Sequence, residues 1–154
     1  MDYRSRRELD RLLGDLDADR QQDRQRDRQS RIREAGHAFQ FETAKVQVLR
    51  PAMRDVMARL EHRGHAARLV EPKPTNLRVE VMLQGAAPVR GLIEVELDDS
   101  SGNVWFRARR QGQAVGECAL AVGELNENAV AATLVHLLRQ LTEAPAPPPA
   151  PKPW

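Results

Sequence analysis

The sequence predicts an α+β fold with two layers, in which a long N-terminal helix and a C-terminal helix cover an antiparallel meander of four or five strands. The spacing of apolar residues carries this prediction. It is helical up to Gly64, alternates as far as Val122 and is helical again after Asn126. A sheet with one apolar face needs a cover, which two amphipathic helices supply. A polar N-terminal arm and a Pro-rich C-terminal tail flank the packed domain, residues 32–143.

The arm, residues 1–31, is too polar to enter a core. Four leucines at helical spacing form one short apolar stripe: Leu9, Leu12, Leu13 and Leu16. A four-residue repeat, DRQQ-DRQR-DRQS, then begins at Asp19. Opposite charges in the repeat fall at i,i+3 and i,i+4, but like charges do so too, so the gain in helix stability is small. The sequence therefore leaves a helical arm and a disordered arm open.

The first helix of the domain is predicted from about Arg31 to Arg63, and Gly64 is predicted to end it. Apolar residues separated by three, four or seven positions place one face of this helix in the core: Phe39, Val46, Leu49, Met53, Val56 and Leu60. Pro51 lies inside the helix and removes one backbone donor, which predicts a kink or a restart.

Five runs after Gly64 alternate apolar and polar residues, which predicts strands with one buried and one solvent-exposed face. These runs are AARLVE, LRVEVML, LIEVELD, VWFRARR and AVGECALAV. The connections between them are short, so we expect the strands to pair antiparallel.

The last helix is predicted to begin after Asn126, a favourable N-cap residue. Its apolar face consists of Val130, Leu134, Leu137, Leu138 and Leu141. Residues 144–154 contain six prolines, which predicts an extended, polyproline II-like tail that lies outside the fold.

The sequence favours a protein that is not an enzyme. A zinc site needs three or four ligands, whereas His62 and His65 are separated by the glycine that ends the helix. Cys118 alternates with Leu120 and Val122, which is typical of a small buried apolar residue. No phosphate-binding, dinucleotide-binding or serine-hydrolase motif occurs in the sequence. We therefore expect no catalytic residue, no metal, no cofactor and no small-molecule ligand.

Composition favours a cytoplasmic protein without a dedicated surface for polyanions. The net charge is +2, whereas a nucleic-acid-binding domain normally has a clear basic stripe. The single cysteine excludes an internal disulfide. The charged N-terminus does not resemble a signal peptide, and no stretch approaches the roughly 20 apolar residues of a membrane span. Residues 20–31 hold five arginines and two aspartates, which keeps nucleic acid as an alternative partner.

Two places besides the leucine stripe are candidates for contact with a partner. Alternation puts Trp105, Arg107 and Arg109 on one face of a strand, where an exposed Trp flanked by arginines can stack a base or anchor a protein. The other interpretations are that the arginines only cover Trp105 on an ordinary surface, or that the two faces of the strand are reversed. Trp154 ends the proline-rich tail, so it is either an aromatic anchor on a stiff spacer or part of an unstructured tail.

The run VLRPAM, continued by VMARLEHRGHAARLVE, resembles the helix-to-strand junction of many small bacterial proteins of uncharacterised function. The order of long helix, hairpin sheet, helix and Pro-rich tail is similar to that of YbaB/EbfC-type nucleoid-associated proteins. That resemblance implies a homodimer that binds DNA, although this chain has more strands. It is a resemblance of architecture and assigns no residue.

Two hypotheses of function follow. The first is a non-enzymatic protein-interaction or assembly module, an adaptor or subunit of a larger bacterial complex that binds a protein partner or oligomerises. The second is a nucleic-acid-associated protein that binds through the arm arginines and the strand from Trp105 to Arg110. The near-neutral net charge favours the first hypothesis.

Overall fold

The computed structural model describes residues 2–143 as one long helix, a sheet and a second helix. The long helix consists of α1, a π-helical turn and α2. In chain order the elements are α1 Tyr3–Ala44, the π-helical turn Lys45–Leu49, α2 Arg50–His62, β1 Ala66–Val70, β2 Asn76–Leu83, β3 Val89–Asp98, β4 Asn103–Arg110, β5 Gln113–Ala121, a 3-10 turn Val122–Glu124 and α3 Glu127–Glu143.

The predicted α+β fold is confirmed, with five strands. The strands lie side by side in sequence order, and each pairs antiparallel with the next. Alternate side chains of β2, β3 and β4 are buried in one core with α3, α2, the π-helical turn and the end of α1, and apolar residues of β1 and β5 pack against its edges. The largest fully buried side chains are Phe41, Phe106, Leu49, Met53, Leu77, Ile93, Leu134, Leu137, Leu141, Val95, Val104 and Val130. The other face of the sheet is not covered by any element within residues 2–143.

The interruption predicted at Pro51 is confirmed as a π-helical turn followed by a restart. The backbone N–H of Arg50 donates to the carbonyl oxygen of Lys45, five residues back. Pro51 then lies in the first turn of α2, a position where helices tolerate proline. None of the helices within residues 2–143 combines the length and the apolar character that a membrane crossing requires.

The prediction that Phe39 and Val46 face the core is wrong. A π-helical turn holds about one residue more than an α-helical turn, so it rotates the upstream helix by roughly 100° relative to the downstream face. Phe41, Ala44 and Lys45 therefore take the buried positions. Phe39 is 74% exposed and Val46 is 52% exposed.

The predicted end of the first helix at Gly64 and the predicted start of the last helix after Asn126 are confirmed. After α2 the N–H of Gly64 donates to the carbonyl of Glu61, and the N–H of His65 donates to that of Leu60, each at 3.0 Å. This pair of bonds satisfies the last carbonyls of the helix. Before α3, Asn126 Oδ1 accepts from the backbone N–H three residues later at 2.8 Å.

Candidate partner-binding surfaces

The N-terminal part of α1 extends from the domain as a helical arm. Every residue from Asp2 to Arg33 is exposed, and the repeat of residues 19–31 is helical. Asp2 caps the helix by accepting a hydrogen bond from the N–H of Ser5 at 2.7 Å. At 1.5 Å per residue, residues 3–36 span roughly 50 Å. The four leucines that the sequence predicts as a stripe all lie on this arm and are 43% to 61% exposed.

Beyond residues 2–7, which hold three arginines and one aspartate, charge along the arm is separated into two blocks. The acidic block, residues 8–19, holds five acids and one arginine, a net charge of −4. The basic block, residues 20–33, holds six arginines and two aspartates, a net charge of +4. The leucine stripe lies inside the acidic block, so its apolar surface is bordered by carboxylates. Neither block makes an ion pair or a side-chain hydrogen bond to any other part of residues 2–143.

His37 joins the arm to the sheet. Its Nδ1 donates a hydrogen bond to the carbonyl oxygen of Asp99, in the β3–β4 turn, at 2.6 Å. In the same turn, Asp98 accepts from the hydroxyl of Ser100 at 2.7 Å, and this hydrogen bond holds the pKa of Asp98 below its usual value. Gly102 lies beneath the imidazole ring, because a Cβ at that position would be 2.7 Å from His37 Nε2. The arm therefore leaves the domain from a fixed attachment.

A second set of exposed apolar residues lies on the long helix closer to the domain. Ile32, Phe39 and Val46 are spaced seven residues apart and are 67%, 74% and 52% exposed. We call them the root stripe. Phe39 also lines a groove of about 270 Å³, together with Val122 and Leu125 of the segment before α3. Apolar surface thus continues from the helix onto the domain.

Sequence reasoning missed the root stripe because it assigned Phe39 and Val46 to the core. It also missed Lys45, which is buried beneath the π-helical turn. Lys45 Nζ donates to the carbonyl oxygen of Pro74 at 3.0 Å and lies 2.9 Å from Glu42 Oε2. The signal that could have revealed both is the proline predicted to interrupt the helix, since an interruption changes which upstream residues face inward.

Trp105, Arg107 and Arg109 share the uncovered face of the sheet, as the alternation predicts. The guanidinium carbon of Arg107 lies 5.5 Å from the centre of the Trp105 ring. Arg107 also pairs with Glu96 at 3.3 Å and with Glu117 at 3.7 Å. Trp105 is half-buried, and the arginine beside it is engaged by two carboxylates.

Ion pairs cross the uncovered face from strand to strand. Arg68 pairs with Glu80 at 2.6 Å and Arg78 pairs with Glu94 at 3.3 Å. Across the five strands this face carries five arginines and five acids: Arg68, Arg78, Arg90, Arg107, Arg109, Glu80, Glu94, Glu96, Asp98 and Glu117. The face is therefore close to neutral.

An open groove of about 1000 Å³ occupies one end of this face. Met82 and Leu92 contribute apolar surface to it, and Arg90 and Arg109 contribute positive charge. Neither arginine forms an ion pair with another residue of the part of the chain that the structure describes. Arg109, a predicted contact residue, thus belongs to this groove and lies apart from the ion pairs that engage Arg107.

No group of three or more His, Cys, Asp and Glu side chains within residues 2–143 is arranged to hold a metal ion. Cys118 is half-buried, and His65 Nδ1 accepts a hydrogen bond from the N–H of Gln84 at 2.9 Å. Trp154 and the proline-rich tail lie outside the described residues.

No family model, no curated protein and no solved structure matches this chain.

Proposed function

We propose that this chain is a non-enzymatic protein-interaction module, an adaptor or assembly subunit that binds a partner protein through the leucine stripe of its arm. The observation that carries the proposal is the exposure of four neighbouring leucines on a helix that has no element of its own domain beside it. Covering a half-exposed leucine contributes roughly 1 kcal/mol. Four such side chains in one patch mark a protein contact more strongly than scattered ones do.

The alternative, binding of nucleic acid, has less support. Its best feature is the basic block of the arm, with a net charge of +4. The acidic block beside it carries −4 and would repel phosphates. On the sheet, the guanidinium of Arg107 is already paired with Glu96 and Glu117. Trp105 is half-buried under that arginine, which leaves little of its ring for stacking on a base.

The test replaces Leu12 and Leu13 by Gln in the full chain. Glutamine keeps the helix propensity high and removes the apolar surface. We expect the purified complex from the native cell to lose a co-purifying protein or to fall in mass by light scattering, with thermal unfolding of the domain unchanged. Val135→Gln is the matched control, because Val135 is an equally exposed apolar residue, at 54%, on α3. An unchanged complex in the leucine variant would remove the basis of the proposal.

A further inference from the structure

The long helix carries two exposed apolar stripes that differ in the charged residues around them. The leucine stripe lies in the acidic block, with a net charge of −4. The root stripe begins at the end of the basic block, with a net charge of +4. The leucine stripe is therefore flanked mainly by carboxylates, and the start of the root stripe is flanked by Arg31 and Arg33.

The two stripes of one chain cannot meet each other. Leu9 and Ile32 are 23 residues apart on α1, which runs without a break from Tyr3 to Ala44. At 1.5 Å and 100° per residue they lie roughly 35 Å apart along the helix and about 140° apart around it. A contact between the stripes must therefore join two copies of the chain.

We propose that the leucine stripe of one copy docks on the root stripe of a second copy. This inference rests on the proposed function and names the partner as another copy of the same chain. The association is heterologous, because different surfaces of the two copies meet. The acidic block of one helix then lies along Arg31 and Arg33, at the end of the basic block of the other.

The spacing of the two stripes matches. Leu9 and Leu16 are seven residues apart, as are Ile32 and Phe39, so two neighbouring helices can bring both pairs together. In either relative direction of the helices, the leucines between Leu9 and Leu16 fall opposite the residues at positions 35 and 36. These are alanine and glycine, and the space around Gly36 is open for at least 4 Å from where a Cβ would stand. The root stripe therefore leaves space for the side chains of Leu12 and Leu13.

Repulsion between like charges opposes a contact between two leucine stripes. Such a contact would place two acidic blocks against each other, each with a net charge of −4, in both the parallel and the antiparallel arrangement. Like charges on neighbouring helices are destabilising. The root stripe, by contrast, brings Arg31 and Arg33 to the acidic block. These arginines fall opposite the acids at positions 8 and 10 in the parallel direction, and opposite the acids at positions 17 and 15 in the antiparallel direction. Electrostatic complementarity of this kind selects a partner more than it sets the affinity.

The test uses two full-length variants in a complementation experiment. The first, Leu12→Gln with Leu13→Gln, loses the leucine stripe and keeps the root stripe. The second, Ile32→Gln with Phe39→Gln, does the opposite. All four side chains are exposed, so circular dichroism and thermal unfolding should match those of the wild type, and sedimentation measures the mass of each sample.

The wild type is expected to self-associate, and each variant alone to do so with a dissociation constant raised by about tenfold or more. Mixing the two variants should restore a complex with a one-to-one composition, because each supplies the stripe that the other lacks. If the Ile32/Phe39 variant alone associates like the wild type, the leucine stripes bind each other and the inference is wrong. If the mixture stays monomeric, it is also wrong.

One further outcome separates this inference from the proposed function. A wild-type chain that remains monomeric when purified, while the leucine variant loses a different protein from the native complex, overturns the self-docking alone. The proposed function would then stand with a different protein as the partner. Monomeric behaviour together with an unchanged native complex would overturn both.

Discussion

Gly102 accepts the imidazole ring of His37 because it has no Cβ, and its φ of +75° is a conformation that L side chains rarely adopt. Two separate restraints therefore act on this position. Gly112, in the β4–β5 turn, has a similar φ of +82° but no heavy atom within 4 Å of where a Cβ would stand. Substitutions at the two glycines can therefore be compared to separate the effect of the His37 contact from the effect of backbone conformation.

We expect Gly112→Ala to lower the free energy of unfolding by about 1 kcal/mol through backbone strain alone. Gly102→Ala should cost more, because it also displaces His37 from its hydrogen bond with the Asp99 carbonyl. Urea unfolding of both variants measures the difference. Equal costs would indicate that the contact of His37 with this turn contributes nothing to stability.

Arg50 and Glu71 connect the start of α2 to the end of β1. Arg50 donates from Nε and Nη2 to the two carboxylate oxygens, with Nη2 at 2.8 Å from Oε2. The hydrogen bond from Arg50 holds the pKa of Glu71 below its ordinary value of 4.5. The pair is partly exposed, so its contribution to stability is modest.

A carboxylate with a lowered pKa in the folded state stabilises the fold above its unfolded pKa and loses that effect as the pH falls through the folded value. Replacing Glu71 by Gln should therefore destabilise the domain at pH 7, and the difference from the wild type should shrink below about pH 4.5. Thermal unfolding between pH 3 and pH 7 measures this. Glu61→Gln, on the surface of α2, is the control, and the prediction is wrong if both variants respond to pH alike.

The helices and strands that the sequence predicts correctly are those that local periodicity and local capping residues determine. The alternation of the strands and the caps at Gly64 and Asn126 are encoded within a few neighbouring residues, and all are confirmed. The inward face of the helix upstream of Pro51 is not encoded locally, because one extra residue in the π-helical turn rotates it. The attachment of His37 to Asp99 joins residues 62 positions apart, which no period can indicate.

The exposure of the arm predicts its dynamics. Its backbone bonds are supported by the helix alone, without packing, and isolated helices are marginally stable in water. In hydrogen–deuterium exchange of the monomeric Ile32/Phe39 variant, amides of residues 6–33 should exchange far faster than those of residues 52–62, which pack on the sheet. Self-associated wild type should protect both segments. Equal protection of the two segments in the monomer would mean that the arm is stabilised by something other than a partner.

For the whole molecule, the sequence predicted individual partner-contact residues better than it predicted the surfaces that these residues form together. The leucine stripe is exposed, as its position in a polar arm suggested. Its complement, the root stripe, could not be found without the rotation of the helix. Since each copy offers both stripes, on different sides of one helix, a repeated contact closes into a ring or continues as a filament.

Electrostatic attraction between the acidic block of one copy and Arg31 and Arg33 of the other predicts a dependence on salt. Raising the ionic strength shortens the Debye length from about 10 Å at 0.1 M to about 3 Å at 1 M, which weakens the attraction between an acidic and a basic block. The dissociation constant of wild-type self-association, measured by sedimentation, should therefore rise with salt. A contact between two acidic leucine stripes would respond in the opposite direction, so a fall with salt contradicts the proposed pairing.

The four-residue repeat between the leucine stripe and the root stripe has a consequence for the geometry of the arm. Four residues advance a helix by about 6 Å and turn it by about 400°, which leaves a net rotation of only about 40°. Adding or removing one repeat unit would thus change the reach of the arm and nearly preserve its rotational phase, whereas removing two residues would rotate the leucines by about 200°. A spacer built from such units can therefore change in length while the leucine stripe keeps nearly the same rotational orientation relative to the sheet.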